Sequence, residues 1–385
     1  MGCELKVIRK VLARAAVLGL CSTSVVQLAI LQSPALAAPA GVTTAQLPVK
    51  PAPAKPGKPG KPGKPVRLVK PVKKPVMQLG AGIDLYTYPN QNWPKASADD
   101  VTYLKALNAN SVMVSFPFFI ASKTSSTVFA KPSTPTPADL ALFAQTAEAA
   151  GLYVTLRPLM DQGVIGASRA GWTPHDEKAW FASYQKFLLP YATMAQKYGI
   201  PAMYLGAEFS KFQSVKGWTY LKEALQKVYK GTLLYANNGP GVRAGVGGGV
   251  QVSVDAYPDL YVPYTASVAR LEKGWKYMDG RLPHHNLLSE VGIAGVKGAY
   301  YKPWKHNWPK PVMDPTVQVR WFTAACDAAL GDHLAGIYFW AIGFGEDELQ
   351  QTLSPQNQAA WEKGPAQAAV AACYKHIESL PTGKQ

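Results

Sequence analysis

Short apolar runs of about five residues recur along residues 77–376, each followed by a longer stretch with apolar positions at helical spacing. The first run, 78–85, precedes a helix predicted over 97–108, where Ser97 supplies an N-cap and Asp99 and Asp100 load the first turn. Strand 111–116 is followed by a helix that starts at Thr136-Pro137 and closes at Gly151. Strand 152–157 leads to a long helix over 176–198, closed by Gly199 and open to a kink at Pro190. Strand 202–206 is followed by helix 218–229, and strand 233–237 by the Gly-rich stretch 239–249, where a helix is short or missing. Strands 251–255, 287–291 and 335–340 alternate with helices 264–278, 315–330 and 355–376.

Eight strand-then-helix units with strands this short and apolar predict an α/β fold, a single closed parallel (β/α)8 barrel. The runner-up is a doubly wound open sheet. It calls for a Gly-rich phosphate turn after the first strand, and Gly80-x-Gly82 lies inside that strand instead.

Composition separates this domain from what precedes it. Lys6, Arg9, Lys10 and Arg14 lead into an apolar stretch and the small-residue site Ala35-Leu36-Ala37, the pattern of a cleaved export signal over 1–37. Cys21 follows Leu20 rather than a small residue, which argues against lipidation. Residues 38–76 are rich in Pro, Lys, Gly and Val and have too little apolar surface for a core, so they read as an extended, self-repelling linker. The domain follows over 77–376, with a flexible tail at 377–385. Nine of the 40 Lys and Arg fall between Lys50 and Lys74, and the signal carries a net three more. Removing both from the formal +16 leaves about +4 for the domain. The basic balance therefore belongs to the tail and does not indicate a nucleic-acid-binding face. The linker is either a solvated spacer or an electrostatic contact to an acidic cell envelope. The domain is read as a monomer, periplasmic or extracellular. In an exported setting Cys326 and Cys373 are candidates to pair.

In a barrel of this kind the chemistry sits where the strands end. Those ends carry Asp84, Arg157 and Asp161, Glu208, Asn237 and Asn238, Asp255 and Tyr257, Glu290, and Trp340. Glu208 and Glu290 each close an apolar strand, where a charge is costly unless it faces a polar cleft. Two carboxylates so placed are what glycosidic cleavage requires, one as acid/base and one as nucleophile. The polar strand ends and the aromatic faces suit sugar hydroxyls and CH faces, with Asp255 open to either sugar binding or a structural pairing. The segment Tyr300-Tyr301-x-x-Trp304-x-x-x-Trp308 is either a rim platform for a glycan or a self-packed loop. No His, Cys or carboxylate group has metal-ligand spacing, His284-His285 reads as a solvated loop pair, and neither metal nor cofactor is called for.

A Glu ending the fourth strand and a Glu ending the seventh resemble glycoside hydrolase clan A, whose members retain anomeric configuration. Within it the chain resembles the family 113 β-mannanases. The resemblance rests on Tyr153-Val154-Thr155-Leu156-Arg157-Pro158-Leu159-Met160-Asp161, Leu205-Gly206-Ala207-Glu208-Phe209, Leu234-Tyr235-Ala236-Asn237-Asn238, Val254-Asp255-Ala256-Tyr257-Pro258, Ser289-Glu290-Val291-Gly292 and Gly336-Ile337-Tyr338-Phe339-Trp340. It implies that Glu208 is the acid/base and Glu290 the nucleophile. It also implies that Tyr257 hydrogen-bonds the nucleophile and that Trp340 floors the subsite of the attacked sugar. The chain departs from the clan in having Ala207 where Asn usually precedes the acid/base, and Arg157 where Lys is frequent. The expectation is an exported retaining β-glycosidase acting on a polysaccharide. The alternatives are a glycan-binding barrel without activity and an enzyme that trims the cell's own exopolysaccharide.

Overall fold

The computed structural model describes residues 72–239, 246–247, 249–279, 286–305, 308–345 and 358–381. The export signal, nearly all of the linker and His284-His285 lie outside them.

Eight parallel strands close on themselves. They are β1 (Gln78–Asp84), β2 (Ser111–Ile120), β4 (Tyr153–Met160), β5 (Ala202–Ala207), β6 (Thr232–Asn238), β7 (Gln251–Ala256), β8 (Leu287–Val291) and β9 (Gly336–Gly343). Each pairs with the next in this order, and β1 pairs with both β2 and β9, which completes the barrel and excludes the open sheet. A short β3 (Val128–Phe129) runs antiparallel to the end of β2. The outer layer is α1 (Trp93–Ala106), α2 (Pro137–Ala149), α3 (Glu177–Tyr198), α4 (Gly217–Gln226), α5 (Val268–Asp279), α6 (Thr316–Gly331) and α7 (Gln367–Glu378). No helix among the described residues is long and apolar enough to cross a membrane.

The strand alternation sorts side chains into two cores. Met203 and Leu205 of β5, or Ile337 and Phe339 of β9, face the helices. Tyr204 and Tyr338, one step along, fill the barrel interior with Met113, Ala236 and Leu287. The interior is polar as well as apolar. Tyr204 Oη lies 2.9 Å from Ser253 Oγ, which lies 2.8 Å from Ser289 Oγ, and Tyr338 Oη donates to Gln78 Oε1 at 2.7 Å.

Several boundaries differ from those read in the sequence. Helix α1 is capped by Asn92, whose side chain accepts from Lys95 N, with Pro94 in the first turn; Ser97 is buried inside the helix. The strand β2 runs past Phe116 to Ile120 because β4 pairs with it as far as Phe118 and β3 beyond, while β1 stops at Ser115, so Pro117 faces no ladder that needs its missing N–H on that side. Helices α4 and α5 are shorter than expected, ending at Gln226 and starting at Val268. The predicted last helix is two pieces, a turn at Gln358–Trp361 and α7, separated where Lys363 takes a φ of 53° before Gly364-Pro365. Because α7 runs to Glu378, the tail begins beyond it. Cys326 of α6 and Cys373 of α7 are joined by a disulfide with their Cα atoms 5.9 Å apart.

Candidate active site

The strand ends open into one cleft of about 710 Å³. Asp84, Asp161, Arg169, Glu208, Asn238 and Asp255 line it together with Tyr257, Glu290, Trp304 and Trp340.

Local irregularities aim the two glutamates. Along β8, Leu288 and Val291 face the helices, yet both residues between them, Ser289 and Glu290, turn inward. The cause is a bulge: Val254 of β7 faces Leu288 and Asp255 faces Glu290, so Ser289 is an extra residue. A second irregularity in β5 falls between Tyr204 and Gly206. A Cβ on Gly206 would sit 2.7 Å from the ring of Trp218, so only glycine fits there. The chain then places Ala207 in the barrel interior and Glu208 in a left-handed conformation, φ 62°. Such a backbone is uncommon for a residue with a side chain and is held by Glu208 N donating to Ala236 O at 2.8 Å. Trp340 owes its place to Gly82, where a Cβ would come within 2.7 Å of the indole.

Arg157 is the floor. Its side chain is fully buried, and its fork spans two carboxylates: Nη1 donates to Glu290 Oε1 at 2.5 Å and Nη2 to Asp255 Oδ2 at 2.6 Å. Burial alone would favour loss of the guanidinium proton, but Asp255 and Glu290 outweigh it and raise the pKa further. The second oxygen of each acid is also satisfied. Tyr257 Oη donates to Glu290 Oε2 at 2.7 Å, and Ser289 Oγ donates to Asp255 Oδ1 at 2.8 Å. Asp255 thus has the structural pairing that its sequence position left open, while it still reaches the cleft.

Glu208 has a different setting. Its cation is Arg169, with Nε 3.4 Å from Glu208 Oε2. Burial raises the Glu208 pKa, Arg169 opposes this, and Glu290 adds to it. An oxygen from each of Glu208, Asp255 and Glu290 lies within 4.8 Å of the other two. Among the described residues this is the one group with the ligand types of a metal site. Its charges are met by two guanidinium groups, one of which already holds Asp255 and Glu290.

The other predicted site residues divide. Asp84 lines the cleft yet is ringed by protein, and the burial together with the Glu290 charge raises its pKa to about 6. Asp161 accepts from Tyr86 Oη at 2.8 Å and from Gly163 N at 2.9 Å, which fixes its carboxylate at the rim. Asn238 lines the cleft, whereas Asn237 is buried and does not. The rim segment is also mixed. Tyr300 is buried and stacks on Trp321 at 5.7 Å, and Trp308 is half-buried, but Trp304 borders the cleft and is 43% exposed. Sequence reasoning did not find Arg169, which comes from a loop with no periodic pattern, nor the serine and tyrosine hydroxyls beneath the floor.

A family model described as Glycoside Hydrolase Family 113 matches residues 85–364. The chain is similar in structure to the family 113 β-mannanase of Alicyclobacillus acidocaldarius in complex with ManMIm. That match has a TM-score of 0.63 and 18% identity, over 78% of this chain and 98% of that one. A second family 113 β-1,4-mannanase complex matches with a TM-score of 0.62 and 16% identity, over 78% and 99% of the two chains. No curated protein matches the sequence.

Proposed function

Because the chain belongs to glycoside hydrolase family 113, we propose that it is an exported enzyme cleaving the β-glycosidic bonds of a polysaccharide, β-mannan first among them, with retention of configuration. The observation that carries this reading is the pair Glu208 and Glu290, with carboxyl oxygens within 4.8 Å of each other across the cleft. Retaining glycosidases hold their two carboxyl groups about 5–5.5 Å apart, and inverting ones about 6.5–9.5 Å.

The environments support this division of roles. Glu208, whose burial favours the protonated form, gives its proton to the leaving oxygen as the glycosidic bond breaks. Glu290, oriented by Arg157 and Tyr257, attacks the anomeric carbon and forms a glycosyl-enzyme. Glu208, now ionised, takes a proton from water, which attacks the same carbon and releases Glu290. Trp340 offers an aromatic face to the attacked sugar, and Asp84, Asp161 and Asn238 offer groups for its hydroxyls. The mannan assignment draws on the similar proteins, which are β-mannanases by name. Export rests on the signal pattern of residues 1–37.

The test is a screen of the purified protein for reducing-sugar release from mannans, glucans, xylans and bacterial exopolysaccharides, followed by NMR of the first-formed anomer. The β-anomer from a mannan is the expected result. An α-anomer would overturn retention, and silence on every polymer would favour a glycan-binding barrel.

A further inference from the structure

Arg169 is buried, with 7% of its surface exposed, and its Nε and Nη1 make no hydrogen bond among the described residues. A desolvated guanidinium with unused donors is costly unless something it meets in function completes them. It borders the cleft beside Glu208, with Nε 3.4 Å from Oε2, close but outside hydrogen-bonding geometry. No described residue hydrogen-bonds Glu208 Oε1.

The loop that carries Arg169 is fixed to the segment that carries Glu208. Arg169 N donates to Gln162 Oε1 at 2.8 Å, and Ser168 Oγ accepts from Ala170 N at 3.2 Å. Trp172 Nε1 donates to Lys123 O at 2.8 Å, and its ring lies 5.9 Å from that of Phe209, the residue after Glu208. The same ring meets Trp180 at 5.8 Å and Phe212 at 6.2 Å. The segments that carry the cation and the carboxylate are therefore also tied together through an aromatic cluster.

We propose that Arg169 is a positioning residue for the acid/base: it closes onto Oε2 of Glu208, turns Oε1 to the glycosidic oxygen, and holds the carboxylate after proton transfer. It would do for Glu208 what Arg157 does for Glu290, at a site where Ala207 offers no polar side chain. This rests on the acid/base reading of Glu208 given above. A cation that strengthens its contact as the glutamate ionises favours the proton-donating step. It also makes Glu208 a stronger acid. The other charged and titratable groups facing Glu208 are Arg157, Glu290, Asp255, Tyr235 and Tyr257.

The test compares Arg169→Met and Arg169→Lys in the full chain. The first readout is the titration of the Glu208 carboxyl by NMR of carboxyl-labelled glutamate, assigned by its loss in Glu208→Gln. Arg169→Met should raise the midpoint by about one pH unit, and Arg169→Lys should restore most of it. The second readout is kcat/KM against pH for mannohexaose, whose leaving group needs a proton, beside 2,4-dinitrophenyl β-mannobioside, whose leaving group does not. Arg169→Met should lose about tenfold or more on the first, with its basic limb moved upward, and little in the glycosylation step of the second. An unmoved Glu208 midpoint, or equal losses on both substrates, would overturn the proposal. A basic limb that persists in Glu208→Gln would instead show that Glu208 is not the acid/base, a separate failure.

Discussion

Arg157 and Glu290 meet at the bottom of the cleft at 2.5 Å, and the same guanidinium reaches Asp255 at 2.6 Å. The three side chains come from β4, β8 and β7, so one buried cation ties together strands that are far apart in sequence. Replacing Arg157 by Met would leave two buried carboxylates without their partner. The expected cost is about 3–5 kcal/mol, the range for breaking a buried pair on one side. Urea denaturation of the two proteins measures it, and a loss under about 1 kcal/mol would show that water takes over from the guanidinium.

The two glutamates should fail in different ways. Glu290→Ala forms no glycosyl-enzyme and should lose at least about four orders of magnitude on every substrate. Glu208→Ala should still attack substrates with very good leaving groups and should accumulate the intermediate. Azide should then rescue Glu208→Ala to a β-glycosyl azide and Glu290→Ala to an α-azide. NMR of the azide products decides the roles, and the opposite pairing would reverse them.

Stability should respond to pH through a residue far from the chemistry. Glu148 of α2 is buried, neither carboxyl oxygen has a hydrogen-bond partner among the described residues, and burial raises its pKa to about 7. The folded protein therefore keeps this proton to higher pH than the unfolded chain does. Its contribution is favourable below the unfolded value and is lost as pH rises through about 7. Glu148→Met should add about 1–3 kcal/mol at pH 8 and much less at pH 4. Equal gains at both pH values, from urea midpoints, would exclude the ionisation as the cause.

The bridge between Cys326 and Cys373 closes a loop of 47 residues on the outer layer. By the chain-entropy relation such a loop is worth about 4 kcal/mol, and less where the native state is strained. The double variant to serine should melt several degrees lower while its turnover of a soluble substrate at 25 °C stays within about twofold. A change in turnover as large as the change in stability would mean that α6 and α7 reach the site.

The barrel was legible because its strands are apolar and short and its helices carry their own punctuation, as at Thr136-Pro137 and at Gly199. The glutamates that end two strands were legible because a charge that ends an apolar run is expensive and stands out. Helix ends were harder. Asn92 caps α1 five residues before Ser97, and both residue types make equally good caps, so only packing distinguishes them. Asn237 and Asn238 are the same residue side by side, and the pleat sends one to the cleft and not the other. Arg169 left no trace in the pattern, since a single arginine in a loop has no periodicity to break.

Glu290 points where it does because β8 contains one residue more than its neighbours have places for. Its address is written as a count, not as a side chain. Deleting Ser289 should restore the ordinary pleat with Leu288 outward, Glu290 inward and Val291 outward, so the carboxylate keeps its side of the wall while Asp255 loses the hydroxyl that donates to it. The same residues in a strand of regular pleat, with Ser289 kept, would instead put Glu290 on the helical side of the wall and Val291 in the interior. Comparisons of such chains that score identity position by position would miss this, and ones that track where a strand gains or drops a residue would not.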